Sequence, residues 1–154
     1  MPVASEKLKG MSELSFEIIT PDGLKFQANV YEVIVPTQAG YRGILPHHIP
    51  LLGLVSPGVI TIRHRADDAE DARESLATAG GFMEVDGRRV RLLADTAERA
   101  EDIDELKAQE AFTRAQELRR AAKDQVALAD AIGLIERQAA RLKVAELKRR
   151  RRPR

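Results

Sequence analysis

Residues 80–108 read Gly80-Gly81-Phe82-Met83-Glu84-Val85-Asp86-Gly87-Arg88-Arg89-Val90-Arg91-Leu92-Leu93-Ala94-Asp95-Thr96-Ala97-Glu98-Arg99-Ala100-Glu101-Asp102-Ile103-Asp104-Glu105-Leu106-Lys107-Ala108, and the hydrophobic period changes within them. Asp86-Gly87 is a hairpin-turn dipeptide, and Val90 to Leu93 follow it as the next strand. From Asp102 onward apolar residues recur every three or four positions instead of every two. That is the repeat of a helix face. Asp102, with Glu105 three residues on, fits a variant of the capping box and predicts a helix opening at that point.

Toward the N-terminus, further turn signals stand at Pro21-Asp22-Gly23, Gly40 to Gly43, Ser56-Pro57-Gly58 and Gly80-Gly81. Between them Leu14, Phe16 and Ile18 alternate with polar neighbours, Val33 to Val35 form a buried-type run, and Val59-Ile60-Thr61-Ile62 is β-branched. Many short strands with no helix between them predict an antiparallel β-sandwich or barrel over residues 13–96 and disfavour a doubly wound parallel sheet.

Toward the C-terminus, no proline occurs between Pro57 and Pro153, and nine of the ten glycines lie at or before Gly87, so the chain is free to be helical. Ala108, Ala111, Ala115, Leu118 and Ala122 make one stripe, and Leu128, Ile132, Ile135, Ala139 and Leu142 a second, with Lys123-Asp124-Gln125 as the turn. A two-helix hairpin over residues 102–150 follows. The fold class is thus α+β in two parts. Alanine seams allow close approach but bury little apolar area at about 25 cal/mol per Å², so this hairpin is expected to be weakly held and able to open.

The chain has 154 residues and a net charge of +1, from 25 Lys and Arg against 24 Asp and Glu. This balance hides an asymmetry. Residues 1–101 hold 11 basic and 15 acidic groups, and residues 102–154 hold 14 and 9. The absence of cysteine excludes disulfides, thiolate metal sites and a cysteine nucleophile, and leaves the cytoplasm as the default compartment. The longest apolar stretch, Ile44 to Ile62, is broken by Pro46, Pro50, Pro57 and two histidines, so no bilayer-spanning helix is expected. The first fifteen residues lack the apolar core of a secretory leader, and Met11 is a candidate alternative start.

His47-His48 has only His64 to complement it, and adjacent residues of an extended chain point apart, so a structural or surface role is expected rather than a metal. No nucleophile elbow, acid/base constellation, P-loop or dinucleotide fingerprint is present, which argues against an enzyme. Gly40-Tyr41-Arg42-Gly43 has the form of an RNA-clamping Gly-x-x-Gly but lies among strands, where it reads as a tight hairpin. Residues 141–154 carry eight positive charges and one negative. Such a tail suits nucleic acid, an anionic membrane or an acidic protein surface. A basic-tailed nucleic-acid-binding module is the alternative reading. With Phe112 the only ring after Phe82, a protein partner fits better.

Ile19-Thr20-Pro21-Asp22-Gly23, Val35-Pro36-Thr37, the run from Gly40 to Leu52, Gly80-Gly81-Phe82-Met83-Glu84-Val85 and Leu93-Ala94-Asp95-Thr96-Ala97 occur in series. Together they resemble the epsilon subunit of bacterial F-type ATP synthases, over about residues 13–148. The resemblance implies a ten-stranded sandwich followed by two helices. It also implies a non-catalytic central-stalk subunit that couples rotation between rotor ring and catalytic head and inhibits ATP hydrolysis through its helices. The implied partners are the gamma subunit, the rotor-ring c subunits and the beta subunits, with no nucleic acid. The implied place is peripheral, on the cytoplasmic face of the cell membrane, without insertion.

The resemblance also assigns residues. The loop from Gln38 to His48 faces the rotor ring, with Tyr41, Arg42 and His48 as contacts, and Tyr41 stands where some relatives carry an acidic residue. The family's nucleotide motif, Ile-Asp-x-x-Arg-Ala, appears as Ile103-Asp104-Glu105-Leu106-Lys107-Ala108, lysine replacing arginine. Glu98, Arg114, Arg137 and Arg141 match its other nucleotide contacts. ATP is thereby implied as a regulatory ligand, with no metal or redox cofactor. Asp104 would meet the adenine, and Arg137 and Arg141, four apart on one helix face, would clasp the triphosphate. When the hairpin opens, Arg137, Arg141, Lys143, Lys148 and Arg149 would turn toward an acidic segment of beta.

Overall fold

The computed structural model describes residues 13–151; Met11, and Arg152 and Arg154 of the basic run, lie outside them. Ten strands come first: β1 Leu14–Thr20, β2 Gly23–Val30, β3 Glu32–Thr37, β4 Gly40–Ile44, β5 Leu51–Val55, β6 Gly58–Arg63, β7 Glu74–Thr78, β8 Gly81–Val85, β9 Arg89–Ala94 and β10 Ala97–Arg99. They form two five-stranded sheets, ordered β2-β1-β9-β8-β5 and β10-β7-β6-β3-β4. The sandwich, not the barrel, is the observed form. All pairings are antiparallel except β1 with β9, which is parallel.

Alternation in β1 puts Leu14, Phe16 and Ile18 wholly inside, where they meet Val33, Val35 and Ile44, Ile60 and Ile62 of β6, Leu76, Met83, Val90 and Leu92. The chain crosses between the sheets at Tyr31, residues 45–50, Ser56-Pro57, Ala79-Gly80 and Asp95-Thr96. One expected turn moves. Gly40 to Gly43 lie within β4, and the reversal is made by Gln38-Ala39, because Gly40 takes the positive φ of 108° that ends the turn. The Thr37 hydroxyl donates to the Gly40 carbonyl at 2.6 Å across it.

Two helices follow, α1 Glu105–Ala121 and α2 Gln125–Arg151. The expected cap also moves. Asp102 ends a short 3₁₀ turn, Ile103 stays extended and packs into a second apolar cluster, and Asp104 caps α1 by accepting the Lys107 N–H at 3.0 Å. Asp124 does the same for α2, accepting from the Ala127 N–H at 2.7 Å.

The predicted stripes need correction as well. Ala108 and Ala115 of α1 are buried, but Leu118 is exposed. On α2 the buried residues are Ala131, Ala140, Val144 and Ala145; Ala139 is exposed, and Leu128 and Ile132 are 39% and 37% exposed. The reason is that α2 has two neighbours. Beside its face toward α1, it lays Ala140, Val144 and Leu147 on Val59 of β6, Ala77 of β7, Ala100 and Ile103.

Ending the chain after Ala100 removes both helices and no member of the main core. That fragment is expected to retain a cooperative denaturant transition, and Phe16→Ala within it should cost about 3–5 kcal/mol. A fragment that melts without cooperativity would defeat the division. At the β8–β9 turn, the Asp86 carboxylate accepts the N–H of Arg89 at 2.8 Å and of Arg88 at 3.2 Å. These bonds, Arg89's first, hold its pKa below the ordinary value. The turn's contribution is therefore complete above the ordinary aspartate range and lost as pH falls through the lowered folded value. The Arg88 and Arg89 amide resonances should titrate together with a midpoint below that of free aspartate. A midpoint at or above it contradicts this account of the turn.

Candidate functional site

Between the second sheet and α2 lies a cleft of about 540 Å³. Its walls include Thr78, Thr96, Glu98 and Asp102, Arg137, Gln138 and Arg141 of α2, and Thr20, Asp22 and Lys25 of the β1–β2 hairpin. Arg141 is already engaged. Its Nη2 donates to Glu98 Oε1 at 3.3 Å and its Nη1 to Gln138 Oε1 at 3.0 Å, while its Nε lies 2.7 Å from Glu98 Oε2 as an ion-pair contact.

Of the eight nucleotide candidates, Glu98, Arg137 and Arg141 line this cleft together. The other five do not line it. Ile103 is packed in the apolar cluster, Asp104 serves as the α1 cap, Lys107 reaches back to 3.9 Å from Asp104, Ala108 is wholly buried in the helix seam, and Arg114 is exposed on α1. Sequence reading missed Lys25, Asp22 and Thr96, which reach the cleft only through strand pairing. Gln138 carried a signal, since it stands one helical turn from Arg141.

The far end of β4 leads into the loop bearing His48. The His47 N–H donates to the Gly87 carbonyl at 2.7 Å, and the His48 N–H to the Leu45 carbonyl at 3.1 Å. His47 has a positive φ of 66°, uncommon for a residue with a side chain. A Cβ on Gly87 would stand 3.3 Å from the His48 carbonyl oxygen, so the β8–β9 turn closely supports this loop. Around His48 the loop presents Leu45 and Ile49, the latter 74% exposed. Tyr41 and Arg42 are not gathered with His48. They stand near the start of β4, where Tyr41 lines a crevice with Pro36, Pro57 and Glu136 of α2.

A third surface was not foreseen. On the outer face of the first sheet, Leu54 is opposite Phe82, Phe82 opposite Leu93, Leu93 opposite Ile19, and Ile19 opposite Leu24. The row crosses all five strands. Leu54 is 68% exposed, and Leu24, Phe82 and Leu93 are exposed with it. A charged row of Glu84, Arg91 and Glu17 runs beside it, with Arg91 paired to Glu17. The signal was legible in Ile18-Ile19, Leu51-Leu52 and Leu92-Leu93, doublets that make both faces of a strand apolar.

Residues 13–100 match the family model described as ATP synthase, Delta/Epsilon chain, beta-sandwich domain. The chain is 42% identical over 135 residues to the ATP synthase epsilon chain of Moorella thermoacetica, covering 88% of this chain and 98% of that one. It is 40% identical over 119 residues to the ATP synthase epsilon chain of Bordetella parapertussis, covering 77% and 82%. Among solved structures, a chain of the Euglena gracilis mitochondrial ATP synthase (OSCP/F1/c-ring) superposes with a TM-score of 0.72 at 19% identity, covering 88% of this chain and 82% of that one. A chain of the Tetrahymena thermophila mitochondrial ATP synthase central stalk and c-ring gives 0.55 at 13% identity, covering 86% and 96%. These likenesses show the fold, and the sequence matches show the family: the chain belongs to the epsilon chains of ATP synthase, a non-catalytic stalk component.

Proposed function

We propose that the protein couples rotation between the rotor ring and the catalytic head, and restrains ATP hydrolysis with its two helices. The observation that carries this reading is the division of labour on its surface. A rigid sandwich bears the apolar row and the end loop, whereas the hairpin meets it through a small apolar cluster. Contiguous exposed apolar area of this kind marks a protein interface. The row from Leu24 to Leu54 docks on gamma, and the loop with Leu45, His48 and Ile49 meets the ring; Tyr41 and Arg42, the other residues assigned to the ring, stand apart from that loop near the start of β4. The work is done peripherally, at the cytoplasmic face of the membrane. No helix of the described residues is long and apolar enough to cross a bilayer.

A charge placed in the apolar row must be desolvated on docking. Leu54→Glu with Phe82→Glu is expected to weaken binding to gamma by at least about tenfold, equivalent to about 1.4 kcal/mol, while leaving the thermal transition of the isolated protein in place. Undiminished binding in a titration against gamma would assign the row another role.

ATP is the regulatory ligand in this reading. The cleft beside Arg137 and Arg141 has the volume of a small-molecule site, and two guanidinium groups on one face of α2 suit a triphosphate. Binding there has a cost, because phosphate must displace Glu98 from Arg141. Lys107 keeps the charge of the family's arginine without its planar fork. ATP that bridges helix and sandwich favours the folded hairpin, so inhibition falls as ATP rises. Calorimetry on the isolated protein is expected to give a saturable heat at millimolar ATP that Arg137→Ala with Arg141→Ala abolishes. No saturable heat removes ATP from the account; equal binding by the double variant moves the site elsewhere.

A further inference from the structure

Three ion pairs join α2 to residues 98–105, from β10 through to the first residue of α1. Arg141 Nε lies 2.7 Å from Glu98, Lys148 Nζ 3.7 Å from Glu101, and Arg149 Nη2 3.1 Å from Glu105. Both partners advance in the same direction along the sequence, so the segment runs beside α2 as a strap. Under it the apolar contact is modest, with Ala140, Val144 and Leu147 set on Val59, Ala77, Ala100 and Ile103.

We propose that Glu98, Glu101 and Glu105 form an electrostatic strap that holds α2 on the sandwich and keeps the hairpin folded. This inference rests on the reading of the hairpin as a releasable element. Each pair is partly exposed, so each contributes little alone. Three in line along one interface act together, against an apolar contact that is itself small. Salt screens them, since the Debye length is about 8 Å at physiological ionic strength.

The strap has a second consequence. Arg141, Lys148 and Arg149 are among the cations that an acidic partner would use, and in the folded form carboxylates of the same chain occupy them. Release on such a partner exchanges one set of carboxylates for another. The Coulomb energy of the two states is then similar, which suits a switch that small perturbations can move.

The chain has no cysteine, so Gln38→Cys and Ala139→Cys, both at exposed positions, can carry a spin-label pair across the crevice between sandwich and α2. The distance is followed on the full-length protein through a urea series below the transition of the sandwich. Glu101→Gln with Glu105→Gln leaves Glu98 and the cleft intact, and is expected to raise the separated population by about threefold to tenfold. Lys148→Gln with Arg149→Gln should do the same from the other side. Added salt should raise the parent toward the variants and raise the variants less, through the Glu98–Arg141 pair that they keep. Glu101→Lys combined with Lys148→Glu should restore the parental distribution. Unchanged populations in both neutralised pairs overturn the strap, as does a rise accompanied by lost helix content that the charge swap fails to rescue. If the variants separate as expected yet ATP hydrolysis by the assembled complex is unaffected, the strap stands and the inhibitory reading of the hairpin falls.

Discussion

Ala140 and Val144 of α2 rest on Val59 and Ala77 of the second sheet, and the character of the molecule follows from how small these side chains are. A helix held by leucines and phenylalanines would be a fixed third layer. One held by Ala140, Val144 and a single leucine, Leu147, loses less apolar burial on leaving, so weak polar contacts help decide where it stands. The sandwich faces no such choice. Phe16, Leu14, Ile18 and Ile60 are completely buried within it, and none depends on the helices. A rigid body and a loosely docked hairpin thus come from one chain through the sizes of the residues at two interfaces.

The basic run changes meaning once its partners are seen. As sequence, eight positive charges against one in residues 141–154 suggested a tail for an acidic partner, a protein before nucleic acid. In the structure Lys148 meets Glu101, Arg149 meets Glu105, Arg150 meets Glu146, and Arg151 reaches the Ser75 hydroxyl at 3.4 Å. Lys148, Arg149 and Arg151 reach across to other elements of the chain, and Arg150 pairs within α2. A nucleic-acid arm needs cations free to meet phosphate, and here Lys148 and Arg149 are paired with carboxylates of the same chain although their side chains stay partly exposed.

Strands were legible because burial on one face imposes a period of two, as in β1, and turns because Asp86-Gly87 and Pro21-Asp22-Gly23 carry their own chemistry. What escaped depended on a second neighbour. The α2 stripe was read as though α1 were the helix's only partner, which set Ala139 inward when the sandwich required Ala140. The α1 cap was placed at Asp102 because nothing local shows that Ile103 is drawn into the apolar cluster, delaying the helix to Glu105. The cleft was half legible. Arg137 and Arg141 share a helix face by period alone, while Lys25 and Asp22 arrive through pairing of β1 with β2 and of β1 with β9.

Glu98 belongs to two devices, and this sets the sign of their coupling. It is one rung of the proposed strap and, in the proposed ATP site, the carboxylate that phosphate would displace from Arg141. An anion that merely took Arg141 from Glu98 would weaken the hold on α2. It favours the folded hairpin only if it binds that state more strongly than the open one, which requires contact with both walls at once. Groups are available on each, Arg137 and Gln138 from α2, Lys25 and Thr96 from the sandwich. A ligand long enough to span them replaces a short carboxylate rung with a bridge, whereas a small anion such as free phosphate only removes the rung. On the proposed reading, ligand length, more than charge, would separate a molecule that closes this hairpin from one that loosens it.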